Sequence, residues 1–386
     1  MMPSVRVPFQ LPPYPYDRVA ALGKLAAALP GGMVDCSIGT PCDPPPPGVI
    51  EALSSSGSER GYPASAGSPA LIAAAAAWLE RRFGLGPVPN SSVSACVGTK
   101  ELVASVPQML RLREPERDTV LYPAVSYPTY AMGAALAGCR AVPVSPRAGH
   151  AGGLDLESIL PSDAARALVL WSNSPSNPTG GLGDLRAEAA WGRSHGIPVF
   201  SDECYAEFTW NGPPRSMLET GFDGVVAVHS LSKRSNLAGV RVGFFAGDPD
   251  LVEFLRSVRR HAGLMVPGPA QAAGVVALAD DDHVEAQRAR YRERLAFLAG
   301  VLADAGSPVE LPEGGFYLWV PVPGEHWKDA WSMAEDLAQR AGLLVSPGDL
   351  YGSDGAGFVR VAVVQPMDRL KLVAERLAVA AGSGSG

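Results

Sequence analysis

One lysine lies between two apolar runs, among polar residues, at a position where a catalytic amine could act. Lys233 follows the apolar run 225–228, and a second apolar run, 240–246, comes after it. Each run predicts a fully buried strand, and open α/β sheets bind ligands at the carboxyl ends of such strands. A lysine amine there can add to a carbonyl compound or move a proton. Most lysines, however, are solvated surface residues, so the neighbouring segments must distinguish the two interpretations.

Two further apolar runs also end in polar residues. The run 167–171 precedes a loop that contains Asn177, and the run 197–201 precedes Asp202 and Tyr205. Short apolar runs that alternate with helical patterns predict a parallel sheet covered on both faces. The carboxyl ends of its strands share one edge, where ligands bind. The residues expected to converge there are Asn177, Asp202, Tyr205, Ser230 and Lys233.

An anion site is predicted where a strand leads into a helix. The Gly-Thr-Lys turn 98–100 joins the predicted strand 93–97 to that helix. Free backbone N–H groups and the helix dipole favour an anion at such a start. Ser230 and Arg241, the latter eight residues after Lys233, would add a hydroxyl and a guanidinium. The chain lacks the Gly-x-Gly-x-x-Gly and Walker patterns, which argues against a nicotinamide dehydrogenase.

Pyridoxal phosphate is the cofactor that accounts for both groups of residues. Its phosphate would bind at the helix start, and Lys233 would form a Schiff base with its aldehyde. Once the substrate amine displaces it, the lysine would be free to move the α-proton. An acid beside the pyridine nitrogen would keep the ring protonated so that it can take up electrons. Arg360, in the predicted strand 358–363, is costly among valines unless it binds an anion.

Three motifs, in this order and spacing, resemble the fold-type I, class I aminotransferases. They are Asn177-Pro178-Thr179-Gly180, Ser201-Asp202-Glu203-x-Tyr205, and Ser230-x-Ser232-Lys233 with Arg241. The resemblance runs over nearly the whole chain and implies an α/β fold. It implies a large domain with a mostly parallel seven-stranded sheet and a smaller α+β domain. The expected division is an arm with part of the small domain in 1–48, a large cofactor-binding domain in 49–270, and a C-terminal small domain in 271–386.

The resemblance also implies a role for each matching residue. Lys233, Asp202 and Tyr205 would be catalytic, with Asp202 the partner of the pyridinium nitrogen. The implied cofactor-binding residues are Gly98, Thr99, Lys100, Tyr127, Asn177, Asp202, Tyr205, Ser230, Ser232, Lys233, Arg241 and Tyr62. Within this set, Tyr127 would stack on the ring, and Asn177 with Tyr205 would bond the ring hydroxyl.

Substrate binding and assembly follow from the same resemblance. Arg360 would bind the substrate α-carboxylate as a bidentate pair, with Gly39 and Asn177 alongside. Tyr62 resembles the tyrosine that reaches the phosphate of the neighbouring subunit. A homodimer with shared active sites is therefore expected.

A narrower resemblance concerns the substrate. Several segments together resemble actinobacterial succinyldiaminopimelate aminotransferases; they are 37–41, 62–67, 98–103, 229–237 and 261–267. The implied reaction moves an amino group between glutamate and N-succinyl-2-amino-6-oxopimelate in lysine and diaminopimelate biosynthesis. It would be ping-pong, through pyridoxamine phosphate. The second substrate carboxylate predicts one more cation, for which Arg18, Lys100 and Arg234 are candidates.

Composition narrows the class of protein. The chain has 386 residues, a net charge of -7, 47% apolar residues and no basic block, which argues against a nucleic-acid surface. The five cysteines and six histidines lack metal-ligand or disulfide spacing, so no metal site is expected. Neither a secretory signal nor a membrane-spanning run is present in this sequence. A cytoplasmic protein without membrane partners is the expectation.

Other functions remain open at the level of the sequence. An aminotransferase for an aspartate-like or secondary-metabolite substrate would have the same motifs. A carbon–sulfur β-lyase would share the fold and the contacts to the cofactor ring, so only its products would distinguish it. A regulator built on this fold would need an added DNA-binding module, for which the chain has no spare basic segment.

Overall fold

The computed structural model describes residues 13–149 and 152–383. Its α-helices, α1 to α13, are Ala20–Ala27, Pro47–Ser55, Pro69–Phe83, Thr99–Arg113, Thr129–Leu136, Pro161–Ala164, Leu185–His195, Leu231–Arg234, Pro249–His261, Gly268–Ala279, Asp282–Asp304, Ala330–Ala341 and Met367–Ser383. Its strands, β1 to β12, are Val34–Asp35, Val93–Cys96, Thr119–Pro123, Arg140–Val144, Ala167–Asn173, Val199–Asp202, Val225–Ser230, Gly243–Gly247, Tyr317–Pro321, Leu343–Leu344, Ser346–Pro347 and Phe358–Ala362. None of the helices in these ranges is long and apolar enough to cross a membrane.

A mostly parallel seven-stranded sheet forms the centre of the molecule, as predicted. Its strand order is β2-β8-β7-β6-β5-β3-β4, and only β8 runs antiparallel to its neighbours. The inner strands are buried along their whole length because helices cover both faces. Two separate apolar clusters, one on each face, fill the space between sheet and helices. Since β5, β6 and β7 are parallel neighbours, their carboxyl ends lie side by side.

Helix boundaries follow the signals in the sequence. Ser68 caps α3 by accepting a hydrogen bond from the Leu71 N–H at 3.2 Å, and Pro69 occupies the first turn. The helix ends at Gly84, which has the left-handed φ of 65° that favours glycine. The helix predicted after residue 98 is α4, which begins at Thr99.

A second region combines the end of the chain with its beginning. Strands β9, β12 and β11 form an antiparallel sheet, and β1 pairs in parallel with β10 through Val34 and Leu343. Val19 and Leu22 of the N-terminal arm are buried in one apolar cluster with residues of α12 and α13. The N-terminal arm therefore packs with the C-terminal region. The exact division at residues 48 and 270 stays a prediction.

Several local predictions were wrong in detail. The four prolines of residues 44–47 predict an extended connector, but Pro47 begins α2, because proline fits the first turn of a helix. The strand expected over 240–246 begins at Gly243, since the left-handed φ of 61° at Arg241 interrupts extended backbone. The alternating Gly and Ser of residues 382–386 predict a flexible segment, but helix α13 continues through Ser383; residues 384–386 lie outside the described residues.

Candidate active site

A cavity of about 470 Å³ lies at the carboxyl ends of β5, β6 and β7. The start of α4, the N-terminal arm and strands β9 and β12 complete its wall. It brings together twelve of the predicted site residues: Gly39, Thr99, Lys100, Tyr127, Asn177, Asp202, Tyr205, Ser230, Ser232, Lys233, Arg241 and Arg360. They come from segments more than 300 residues apart, so the tertiary fold alone makes them neighbours.

Lys233 occupies the single helical turn α8, directly after β7. The Ser230 hydroxyl caps this turn by accepting a hydrogen bond from the Ser232 N–H at 3.1 Å. The lysine amine points into the cavity and donates to the Gly39 carbonyl. Loss of hydration lowers the pKa of Lys233 to about 8. About a tenth of the amine is therefore neutral at pH 7 and can act as nucleophile or base, far more than for an ordinary lysine.

One end of the cavity is shaped for an anion. Gly98 precedes α4 with a left-handed φ of 71°, and a Cβ at this position would overlap the Arg241 guanidinium. Arg241 itself has a φ of 61° and donates from Nη1 to the Ala238 carbonyl at 2.9 Å. No carboxylate of residues 13–149 or 152–383 forms an ion pair with this guanidinium. The helix start and the guanidinium thus face the same space without an acid between them.

An acid lies deeper, at the end of β6. Asp202 is 6% exposed, and its Oδ2 accepts a hydrogen bond from the Tyr130 hydroxyl at 2.9 Å. Its Oδ1 accepts from the Cys204 N–H at 3.2 Å. Burial raises the pKa of Asp202, and the hydrogen bonds from Cys204 and Tyr130 oppose that rise. The carboxylate is thus desolvated but stabilised by fixed donors.

Arg360 lies opposite, on β12, with 2% of its surface exposed. Its Nη1 donates to Asn177 Oδ1 at 2.8 Å, and its Nη2 donates to the Ser37 carbonyl. The guanidinium carbon lies 4.4 Å and 4.7 Å from the ring centres of Tyr317 and Tyr351. Its Nε is buried without a hydrogen-bond partner in the described structure. A buried guanidinium with aromatic and amide neighbours, but no acid, is suited to a carboxylate ligand.

The tyrosines of the site are arranged differently from one another. Tyr205 forms a hydrogen bond with Tyr317 through their hydroxyl oxygens, 2.7 Å apart. Tyr127 lines the cavity, as expected for a residue that would stack on a planar ring. Tyr62 lies outside the cavity with 99% of its surface exposed. The predicted reach of Tyr62 to a neighbouring subunit stays a prediction.

The surroundings of Arg18, Lys100 and Arg234 show which of these three candidate cations can reach the cavity. Arg234 is buried and pairs with Glu207 and Asp281, so its candidacy for a substrate contact is wrong. Arg18 pairs with Asp349 and lies over the ring of Trp331, outside the cavity lining. Lys100 lines the cavity.

Several site residues were not predicted from the sequence. Tyr14, Tyr16 and Tyr317 line the cavity, and Cys204 lies within the quoted Ser201 to Tyr205 motif. Tyr130 binds Asp202 from behind the cavity wall. The pair Tyr127 and Tyr130 around a proline was a visible signal for an aromatic site, but nothing in the sequence shows which tyrosine meets the acid.

The cavity fits pyridoxal phosphate. The anion end suits a phosphate, the desolvated Asp202 suits a pyridinium N–H, and Lys233 supplies an amine in the same cavity. A larger cleft of about 950 Å³ has no lysine, arginine or histidine among its described lining residues. That cleft therefore lacks the cations that a phosphate or carboxylate ligand requires.

Comparison with known proteins gives matches over most of the chain. Residues 32–377 match the family model described as aminotransferase class I and II. The 4-dedimethylamino-4-oxo-anhydrotetracycline transaminase OxyQ of Streptomyces rimosus is 43% identical over 95% of this chain and 99% of its own. An LL-diaminopimelate aminotransferase of Desulforudis audaxviator is 36% identical, covering 95% of each chain. A solved structure of a probable N-succinyldiaminopimelate aminotransferase from Thermus thermophilus is 31% identical, with a TM-score of 0.83 over 94% of this chain and 99% of that one.

Proposed function

Because this chain belongs to the class I and II aminotransferases, which depend on pyridoxal phosphate, we propose a specific reaction for it. The enzyme moves an amino group between glutamate and N-succinyl-2-amino-6-oxopimelate, a 2-oxo acid with distal carboxylates. The observation that carries this proposal is the pair of cations, Arg360 and Lys100, that line one cavity. One would bind the α-carboxylate and the other a distal carboxylate.

The cofactor would be held by the residues at the anion end and by Asp202. The α4 start with Thr99, the hydroxyl of Ser230 and the guanidinium of Arg241 would bind its phosphate. When bound, pyridoxal phosphate supplies an aldehyde carbon to which amines add and a ring that stabilises negative charge at the substrate Cα. The carboxylate of Asp202 would hold the proton on the ring nitrogen.

The chain's own groups would do the binding and the proton transfer. Arg360 would fix the α-carboxylate by two parallel N–H donors, and Asn177 would keep the guanidinium in place at Nη1. The Nζ of Lys233, with its lowered pKa, would accept the α-proton and return a proton during transfer. The buried rings of Tyr205 and Tyr317, joined by a hydrogen bond, would exclude water from this side of the cavity.

Lys100 supports the narrower substrate. Its ammonium lies 3.1 Å from the Tyr14 hydroxyl and 4.9 Å from the centre of that ring. The part of the chain that the structure describes supplies no carboxylate in ion-pair contact with it. The similarity to the Thermus and Desulforudis enzymes agrees with a distal anion contact, because the diaminopimelate and N-succinyldiaminopimelate in their names each carry a second carboxylate far from the reacting amine.

We also propose that two chains form a dimer and share their sites. Support comes from Tyr62, a large aromatic residue with 99% of its surface exposed at a loop before α3. An exposed aromatic side chain is enriched at interfaces. The test is the mass in solution at micromolar concentration, together with cofactor affinity of Tyr62→Phe. A monomer that binds cofactor with full affinity would contradict this proposal.

The substrate is tested by half-reactions that convert the visible band of the loaded enzyme. We expect conversion by glutamate and by N-succinyl-LL-2,6-diaminopimelate. A matched pair, 2-aminoadipate and norleucine, differs chiefly in the distal carboxylate. The variant Lys100→Gln should lose roughly fivefold in kcat/KM for 2-aminoadipate and little for norleucine, as expected for an exposed charge pair. Equal losses for both amino acids would contradict the role of Lys100.

A second candidate acceptor is a polycyclic ketone. The 43% identity to OxyQ over 99% of that enzyme favours it, as do the aromatic rings of Tyr14, Tyr16 and Tyr127 in the cavity lining. Enzyme loaded with pyridoxamine phosphate would be mixed with each acceptor. Reaction with a tricyclic ketone but not with 2-oxo acids would replace the first proposal. Release of pyruvate from cystathionine, without amino transfer, would instead indicate a β-lyase.

A further inference from the structure

A tyrosine outside the cavity lining forms a hydrogen bond with Asp202, the buried acid of the site. Tyr130, the second residue of α5, is fully buried and donates its hydroxyl proton to Asp202 Oδ2 at 2.9 Å. The other carboxylate oxygen accepts from the Cys204 N–H. Tyr130 does not line the cavity, so it can affect a bound cofactor through the two lining residues that it contacts, Asp202 by its hydroxyl and Tyr127 by its ring.

The Tyr130 ring is held on both sides. It is stacked on Trp171, with ring centres 5.2 Å apart and an angle of 27°. Tyr127 meets it edge-on, with ring centres 6.1 Å apart. Gly133 lets α5 approach α4 closely, because a Cβ there would lie 2.9 Å from the Val103 carbonyl. The hydroxyl therefore cannot turn away from Asp202 without repacking two helices.

The protonation states of the pair are well defined. Burial, followed by the charge of Asp202, raises the pKa of Tyr130 well above its ordinary value. The phenol therefore stays a hydrogen-bond donor over the working pH range. Burial alone would push Asp202 toward its neutral form, and the donors around it counteract that tendency.

We propose that Tyr130 is a positioning residue that keeps Asp202 an oriented anion toward the ring nitrogen of the cofactor. This rests on the role proposed above for Asp202. Without the phenol, Asp202 Oδ2 would lose the hydrogen-bond donor that the protein supplies to it, and the carboxylate would become more basic. The proton shared with the ring nitrogen would then move toward the carboxylate. The cofactor ring would then bind less tightly and would stabilise negative charge less well.

The test compares cofactor affinity of apoenzyme for pyridoxal phosphate and for its 1-deaza analogue, which has carbon at the ring-nitrogen position. Tyr130→Phe should weaken binding of pyridoxal phosphate about tenfold, as expected for a hydrogen bond to a charged group. Binding of the deaza analogue should change less than twofold, because that ring has no N–H for Asp202. The matched control is Tyr291→Phe, since the Tyr291 hydroxyl is buried without a hydrogen-bond partner in the described structure. This control should change neither affinity.

Two outcomes would overturn the inference. If Tyr130→Phe weakens binding of both ligands equally, Tyr130 acts through packing alone. If it weakens binding of neither, the hydrogen bond to Asp202 does not affect cofactor binding. Asp202→Asn separates this inference from the proposed function. If Asp202→Asn retains the preference for pyridoxal phosphate over the analogue, the assignment of Asp202 fails. If it loses that preference while Tyr130→Phe keeps it, only the role of Tyr130 fails.

Discussion

Glu203, the residue after Asp202, gives a prediction about stability and pH. It is 2% exposed; its Oε1 accepts a hydrogen bond from the Met217 N–H at 2.8 Å, and its Oε2 has no hydrogen-bond partner in the described structure. The nearest charged candidate is His229, whose Nε2 lies 3.4 Å away. Burial lowers the pKa of His229 to about 3, so the imidazole is neutral and supplies no positive charge to a carboxylate. Burial raises the pKa of Glu203 to about 8.

The sign of the effect follows from which state holds the proton. Between an unfolded pKa of about 4.3 and the folded pKa, the folded protein keeps the Glu203 proton and the unfolded chain releases it. The stabilisation is therefore complete below the unfolded pKa and is lost as pH rises through the folded pKa. While the folded state retains the proton, the free energy of unfolding falls by about 1.4 kcal/mol per pH unit. From pH 6 to pH 9, Glu203 alone should therefore lower the free energy of unfolding by about 3 kcal/mol.

The assay is urea unfolding of the cofactor-loaded enzyme at a series of pH values between these limits. Glu203→Gln preserves the size of the side chain and an acceptor for the Met217 N–H, but cannot titrate. Its unfolding free energy should fall by about 3 kcal/mol less than that of the parent enzyme over the interval. Effects of pH on cofactor binding and on other groups are common to both proteins and cancel in this difference.

A matched control is available in Glu188, another buried acid. Burial raises the pKa of Glu188 to about 7. Glu188→Gln should therefore remove a smaller pH effect, about 1.5 kcal/mol, concentrated below neutral pH. Identical pH profiles for the parent enzyme and Glu203→Gln would refute the reasoning. That result would mean that water or a shift in His229 solvates the Glu203 carboxylate in the folded state.

Three more predictions concern the site. Lys233→Ala should abolish the visible absorption band of the purified enzyme, and an unchanged band would contradict its role as the cofactor-bound amine. Gly98→Ala should weaken cofactor affinity more than about tenfold, because residue 98 has a left-handed φ and its Cβ would overlap the Arg241 guanidinium. Fluorescence titration of the apoenzyme measures this affinity, and an affinity equal to that of the parent enzyme would contradict the prediction. Arg360→Lys should raise KM for amino acids about 100-fold with a smaller change in kcat, because a lysine cannot form the bidentate pair; steady-state kinetics would contradict this if KM stayed constant.

The central strands show which features of the sheet local sequence patterns can predict. Continuous apolar runs such as 167–171 and 225–228 predicted buried parallel strands, because only a strand covered on both faces lacks polar alternation. The same patterns could not show that β8 runs antiparallel, since an apolar run has no direction. They also missed the start of α2, because the proline run 44–47, whose last member begins the helix, suggested an extended segment more strongly than the few apolar residues after it suggested a helix.

For the site, the sequence by itself determined which residue types were present and that Lys233, Asp202 and Asn177 follow neighbouring strands. Those facts are local, because a residue after a strand lies at the sheet edge wherever the strand is placed. Only the tertiary structure decided which cations reach the cavity. Arg234 is adjacent to Lys233 in the chain, yet it points into a buried network with Glu207, whereas Arg360 arrives from 127 residues further on. Side-chain direction and long-range pairing depend on packing, which no local pattern encodes.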